Sequence, residues 1–150
     1  MKYIRRTLEP VLLKAAKEFP VIMLTGPRQS GKTTLLKHLL SRSHRYLSLE
    51  PPDIQASADN DPRGFLEFYP PPVIFDEIQY APRLLPYIKE RVDENRNRSF
   101  VLPSGNHHIP TYDVFPVSED ITFYKRNSSR FLHYSLDKSE SALCKEVGFS

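Results

Sequence analysis

Gly26-Pro27-Arg28-Gln29-Ser30-Gly31-Lys32-Thr33 lies between an apolar run, Val21-Ile22-Met23-Leu24-Thr25, and a helical pattern over residues 32–42. The spelling G-x-x-x-x-G-K-[ST], with a strand before it and a helix after it, is the signature of a phosphate-binding P-loop. The chemistry accounts for the residue types. A loop that wraps phosphates needs backbone N–H groups aimed inward and no side chain in the way. Gly26 and Gly31 allow positive φ and close approach. The helix that opens near Gly31 adds N–H groups and the positive end of its dipole. Lys32 sets a compact cation against the β- and γ-phosphates. The Thr33 hydroxyl is a ligand for Mg²⁺, and Thr34 is placed to help hold the α-phosphate. The expected nucleotide-binding residues are therefore Gly26, Pro27, Arg28, Gln29, Ser30, Gly31, Lys32, Thr33 and Thr34, with Lys32 also a catalytic candidate.

Working outward, the strand before the loop is continuously apolar, as a parallel strand covered on both faces must be. Residues 5–19 read as a helix, with Leu8, Val11, Leu12, Ala15, Ala16 and Phe19 on one face and Pro20 closing it. Beyond the loop, Leu35, Leu36, Leu39 and Leu40 mark the inner side of the second helix. A short strand over residues 46–50 is broken by Pro51-Pro52. Residues 53–68 hold small helical pieces, one starting at Asp61-Pro62 as N-cap and first helical residue. Tyr69-Pro70-Pro71-Pro72 is a stiff extended connector. Val73-Ile74-Phe75 is the third strand and Phe100-Val101-Leu102 the fourth. Between them a helix starts near Arg83 or Leu84 and runs to about residue 95, with Leu85, Ile88 and Val92 on one face and Pro86 tolerated in its first turn. Strands alternating with helices predict an α/β fold with a parallel sheet and right-handed crossovers, the three-layer P-loop NTPase arrangement.

The third strand ends in two acids, Asp76-Glu77, the Walker B pattern. In a parallel sheet, ligands sit beyond the carboxyl ends of the strands, so Asp76 and Gly26 are expected on one rim. Thr33 and Asp76 are the expected metal residues, Asp76 through a water. Glu77 is the second catalytic candidate, orienting and polarising an attacking water. A glutamate directly after the metal aspartate is typical of ATPases that hydrolyse with bound water. Small-molecule P-loop kinases often lack it and use a lid with clustered arginines, which is not evident here. The expected cofactors are ATP and Mg²⁺.

Several stretches resemble the AAA-type ATPases of bacteria and archaea whose ATPase module is normally followed by a C-terminal domain of unknown function. They are the leader helix over residues 5–19, Leu24-Thr25-Gly26-Pro27-Arg28-Gln29-Ser30-Gly31-Lys32-Thr33-Thr34-Leu35-Leu36, Asp61-Pro62-Arg63-Gly64-Phe65-Leu66 and Phe75-Asp76-Glu77-Ile78-Gln79. The likeness spans about residues 4–102 and implies strand order 5-1-4-3-2 and an ATP-binding core. It also implies that Gln79 contacts nucleotide or a neighbouring subunit, and that such a subunit supplies an arginine. In that group the fourth strand runs into a Thr-Gly-Ser turn that senses the γ-phosphate. This chain has Pro103-Ser104-Gly105-Asn106 there, which makes Ser104 and Asn106 the sensor candidates. Arg126 and Arg130 match an arginine finger only in charge, and the role is carried to neither.

The likeness and the leucine content stop together: residues 1–102 hold 14 leucines and residues 103–150 hold 3. The expected division is an ATPase core over residues 1–102 and a divergent, weakly structured tail over residues 103–150, leaving the fold incomplete at its C-terminal side. A shifted reading frame or a decayed gene explains such a break, and translation of the coding DNA near codon 102 in the other frames tests it. Within the tail, residues 131–136 read as a weak strand and residues 140–147 as a short helix.

Bulk composition agrees with a globular domain: 39% hydrophobic and 26% charged residues in 150. A net charge of +3 with no long Lys/Arg run supports a nucleic-acid partner only weakly. The apolar stretches are too short for a membrane span, and the basic N-terminus is not a secretory signal. Cys144 is the only cysteine, so the expected compartment is the reducing cytoplasm. His107-His108 has no second ligand pair at a metal-site spacing. The leading reading is Mg²⁺-dependent ATP hydrolysis. The alternatives are a non-catalytic nucleotide-binding remnant, a P-loop kinase, and an interaction or DNA-associated protein that keeps the fold without using the site.

Overall fold

The apolar runs become strands because both of their faces are covered. A computed structural model describes residues 8–25, 31–94, 99–104, 121–124, 130–134 and 145–148. Within them β1 (Val21–Thr25), β2 (Arg45–Ser48), β3 (Val73–Asp76) and β4 (Phe100–Ser104) pair in parallel in the order β2-β3-β4-β1. Successive strand residues point to opposite faces. Val21 and Met23 therefore gather with Val73, Phe75, Phe100 and Leu102, while Ile22 and Leu24 gather with Ile74 and Val101.

The first of these faces is closed by α3 (Pro52–Asn60), α4 (Pro62–Phe68) and α5 (Leu84–Glu94), through Ala58, Phe65, Leu66, Leu85, Ile88 and Val92. The second is closed by α1 (Leu8–Glu18) and α2 (Lys32–Leu40), through Leu12, Ala15, Leu35, Leu36 and Leu40. The protein is a three-layer α/β domain with a four-stranded parallel sheet, as expected of a P-loop NTPase-like fold. Phe75 and Phe100 are fully buried in its middle, and each such side chain contributes roughly 1.5–3 kcal/mol.

Local chemistry sets the ends of the elements. Strand β2 starts one residue earlier than expected and ends at Ser48, two residues short of the expected bound, and Pro52 opens α3. Asp61 caps α4, its carboxylate accepting the Gly64 N–H at 3.1 Å. Pro86 falls in the first turn of α5. Strand β4 continues through Pro103 to Ser104, further than expected. The Phe100 N–H donates to the Pro20 carbonyl, on the β1 side. By alternation the Pro103 nitrogen faces the β3 side, and the β3–β4 ladder stops at Ile74↔Val101 although β3 runs on to Asp76, because Pro103 has no N–H to donate.

Three further strands extend the sheet beyond β1: β5 (Ile121–Tyr124), β6 (Arg130–Tyr134) and β7 (Lys145–Gly148), giving β2-β3-β4-β1-β5-β6-β7. Read from β5, the order begins 5-1-4-3-2, as the resemblance implies. Strand β5 is antiparallel to β1, however, with Val21 opposite Tyr124. The helix expected over residues 140–147 is corrected where that stretch is described. Residues Lys145–Gly148 form a strand, because β6 offers an open edge and Val147 pairs with Phe131. Ladder partners override weak local helix propensity.

Candidate functional site

Three chain segments meet at the carboxyl end of the parallel strands. The first is the start of α2. Its N-cap, Gly31, has φ 82° and ψ 15°, the left-handed conformation that only glycine adopts without strain. No side chain caps this helix end. Lys32 and Thr33 follow, half-buried, and Thr34 is exposed. The second segment is the end of β3, where Asp76 is 4% exposed. The third is the end of β4, where Ser104 is fully buried and pairs in register with Thr25, the last residue before the glycine-rich stretch.

Asp76 is held on both oxygens. Its Oδ2 accepts from the Thr33 hydroxyl at 2.7 Å and from the Tyr46 hydroxyl, and its Oδ1 accepts from the Glu77 N–H at 2.9 Å. Tyr46 comes from β2, and the Lys37 ammonium lies 4.2 Å from the centre of its ring. Burial, reinforced by the Asp76 carboxylate, pushes the Tyr46 phenol well above its ordinary value, so it stays a neutral donor. The oxygens gathered here are hydroxyl and carboxylate, a donor set that fits a hard cation such as Mg²⁺. Among the described residues no group of three or more His, Cys, Asp or Glu side chains gathers to hold a metal ion.

Glu77 leaves the strand in the left-handed conformation, φ 60° and ψ 48°, the one non-glycine residue with positive φ among those described. A short 3-10 turn, Ile78–Tyr80, follows, anchored by fully buried Ile78. Its middle residue, Gln79, donates through Nε2 to the Glu77 carboxylate. The Gln79 amide oxygen accepts from the Ser104 hydroxyl at 3.1 Å.

Of the residues expected at the site, Gly31, Lys32, Thr33, Thr34, Asp76 and Glu77 are described, and Thr33 and Asp76 are in direct contact. Gly26, Pro27, Arg28, Gln29 and Ser30 lie outside the described residues, as do Asn106, His107, His108, Arg126 and Cys144. Glu50 is exposed, and its carbonyl accepts from Gln55 at 2.7 Å. Tyr46 was not anticipated. Its only signal was an aromatic with a polar tip on the second strand, and that becomes meaningful once β2 is known to lie beside β3.

A family model described as AAA domain matches residues 18–111. Two curated mycobacterial proteins are similar over 90 residues at 34% identity. They are named Uncharacterized protein Rv2008c, from Mycobacterium tuberculosis, and Uncharacterized protein Mb2031c, from Mycobacterium bovis. The match covers 59% of this chain and 20% of each relative, so the chain spans about a fifth of their length. No solved structure matches it.

Proposed function

The chain belongs to the AAA domain family, and from that premise we propose that it binds ATP with Mg²⁺ at this rim and hydrolyses the γ-phosphate. The observation that carries the reading is the Thr33–Asp76 hydrogen bond, which joins the P-loop helix to the acidic end of β3 with Glu77 next to it. Residues Gly26, Pro27, Arg28, Gln29, Ser30, Gly31, Lys32, Thr33 and Thr34 hold the phosphates. Lys32 neutralises charge on the β- and γ-phosphates. Thr33 and Asp76 would hold the metal, the threonine through its hydroxyl oxygen, whose proton is already given to Asp76, and Asp76 through water. When bound, Mg²⁺ supplies charge neutralisation across the phosphate oxygens. Tyr46 keeps the Asp76 carboxylate oriented. Glu77 accepts a hydrogen bond from the attacking water and takes its proton as the water oxygen bonds to the γ-phosphorus and the bond to the β,γ-bridging oxygen breaks, releasing ADP.

Phosphate release separates the roles. Wild-type protein releases Pi from Mg²⁺-ATP. Lys32→Ala binds nucleotide at least about tenfold more weakly, whereas Glu77→Gln binds as the wild type does and releases Pi at least about a hundredfold more slowly. A Glu77→Gln variant with wild-type turnover would exclude this role for the glutamate.

A second reading is favoured by the antiparallel β5 beside β1, which departs from an all-parallel core. It is a non-catalytic remnant that binds nucleotide through Lys32 and Thr33 and turns over slowly or not at all. Binding of Mg²⁺-ATP without Pi release by the folded wild type distinguishes it.

A further inference from the structure

We propose that Gln79 is the positioning residue of Glu77, a clip that fixes the glutamate's carboxylate to the central strand β4. The proposal rests on the hydrolytic reading of Glu77. The orientation of the amide follows from its neighbours. A carboxylate accepts and does not donate, so the Gln79 –NH₂ group faces Glu77 and its carbonyl faces Ser104. The Ser104 hydroxyl then donates at 3.1 Å, and the three side chains form one directed chain, Ser104 to Gln79 to Glu77.

The ends of this chain differ in freedom. Ser104 is fully buried on β4, paired with Thr25. Glu77 is half-buried on a strained backbone, with a long side chain of many rotamers. Gln79 is itself fixed, because its turn is pinned on either side by fully buried Ile78 and Ala81. The clip transfers the rigidity of the sheet to the one carboxylate that must hold a water in line. Small displacements of such a group lower rate far more than they lower substrate binding.

Gln79→Met keeps length and volume and removes both hydrogen bonds. It lowers kcat for Pi release by about tenfold or more while KM for Mg²⁺-ATP stays within about twofold. Ser104→Ala lowers kcat by a few-fold in the wild type and has no further effect in the Gln79→Met background, because both substitutions break the same chain. A readout in the nucleotide-free protein needs no turnover. The Gln79 side-chain N–H resonances, identified by their loss in Gln79→Met, shift in both Glu77→Ala and Ser104→Ala. Urea midpoints confirm that each variant is folded.

A folded Gln79→Met variant with wild-type kcat, in a protein that hydrolyses ATP, overturns the clip and leaves the hydrolytic reading intact. Additive effects of Gln79→Met and Ser104→Ala, or side-chain resonances indifferent to Glu77→Ala, overturn it as well. A wild type that binds Mg²⁺-ATP and never releases Pi overturns the hydrolytic reading and the clip together.

Discussion

Glu77 is where backbone geometry and chemistry conflict most openly. A left-handed conformation costs an L-residue roughly 1–2 kcal/mol, and the chain spends a glutamate there, not a glycine. Strain that persists at one residue points to a role the surrounding structure enforces. The contrast between two variants isolates it. Glu77→Gly and Glu77→Ala both lack the carboxylate, but only the glycine relieves the backbone. Urea denaturation is expected to find Glu77→Gly more stable by about 1 kcal/mol. Equal stabilities would remove strain from the account. Asp76 and Glu77 were legible because two acids after an apolar strand form a pattern in one stretch of chain. The partners of these acids were not. Tyr46, Gln79 and Ser104 reach them from β2, the 3-10 turn and β4, and sequence spacing carries no record of which strands lie side by side.

Caps and turns were legible for the opposite reason: they are local. Asp61-Pro62 announced α4, and the structure adds why glycine follows at position 64. A Cβ there would sit 2.2 Å from the Asp61 carboxylate that caps the Gly64 N–H. Asp61→Ala is expected to lower stability by about 1 kcal/mol. Gly64→Ala, normally favourable inside a helix, is expected to be destabilising in the wild type and neutral or stabilising in an Asp61→Ala background. Denaturant midpoints of the four proteins check this, and simple additivity would contradict it. The turn between α2 and β2 holds a second device. His44 is buried, with Nδ1 2.8 Å from the Ser43 hydroxyl and Nε2 2.9 Å from the Ser99 hydroxyl. Burial holds its imidazole below the ordinary 6.5. The unfolded chain therefore takes up this proton first as pH falls. The His44 contribution to stability is complete above about pH 6.5 and is lost as pH falls through the folded value. Urea midpoints followed from about pH 7.5 down to about pH 5.5 should fall in the wild type and fall less in His44→Gln.

The parallel half of the domain follows from its hydrophobic pattern. Continuous apolar runs separated by amphipathic helices admit few arrangements other than a sheet covered on both sides. The other half does not follow in this way. Strands β5, β6 and β7 come from a stretch with little leucine and weak periodicity, and they owe their state to an open edge beside β1. A pairing partner decides such segments, so residues 145–148 became a strand although their own residues suggested a helix. Among the described residues no helix is long and apolar enough to cross a membrane. The start of α2 and the end of β3 meet at the carboxyl end of the parallel strands, and that rim is the proposed place of a nucleotide's phosphates. Calorimetric titration of the wild type and of Lys32→Ala with Mg²⁺-ATP tests that placement most directly. The account predicts one saturable site in the wild type and at least tenfold weaker binding in the variant. Equal affinity in the two proteins, or no binding to a folded wild type, would contradict it.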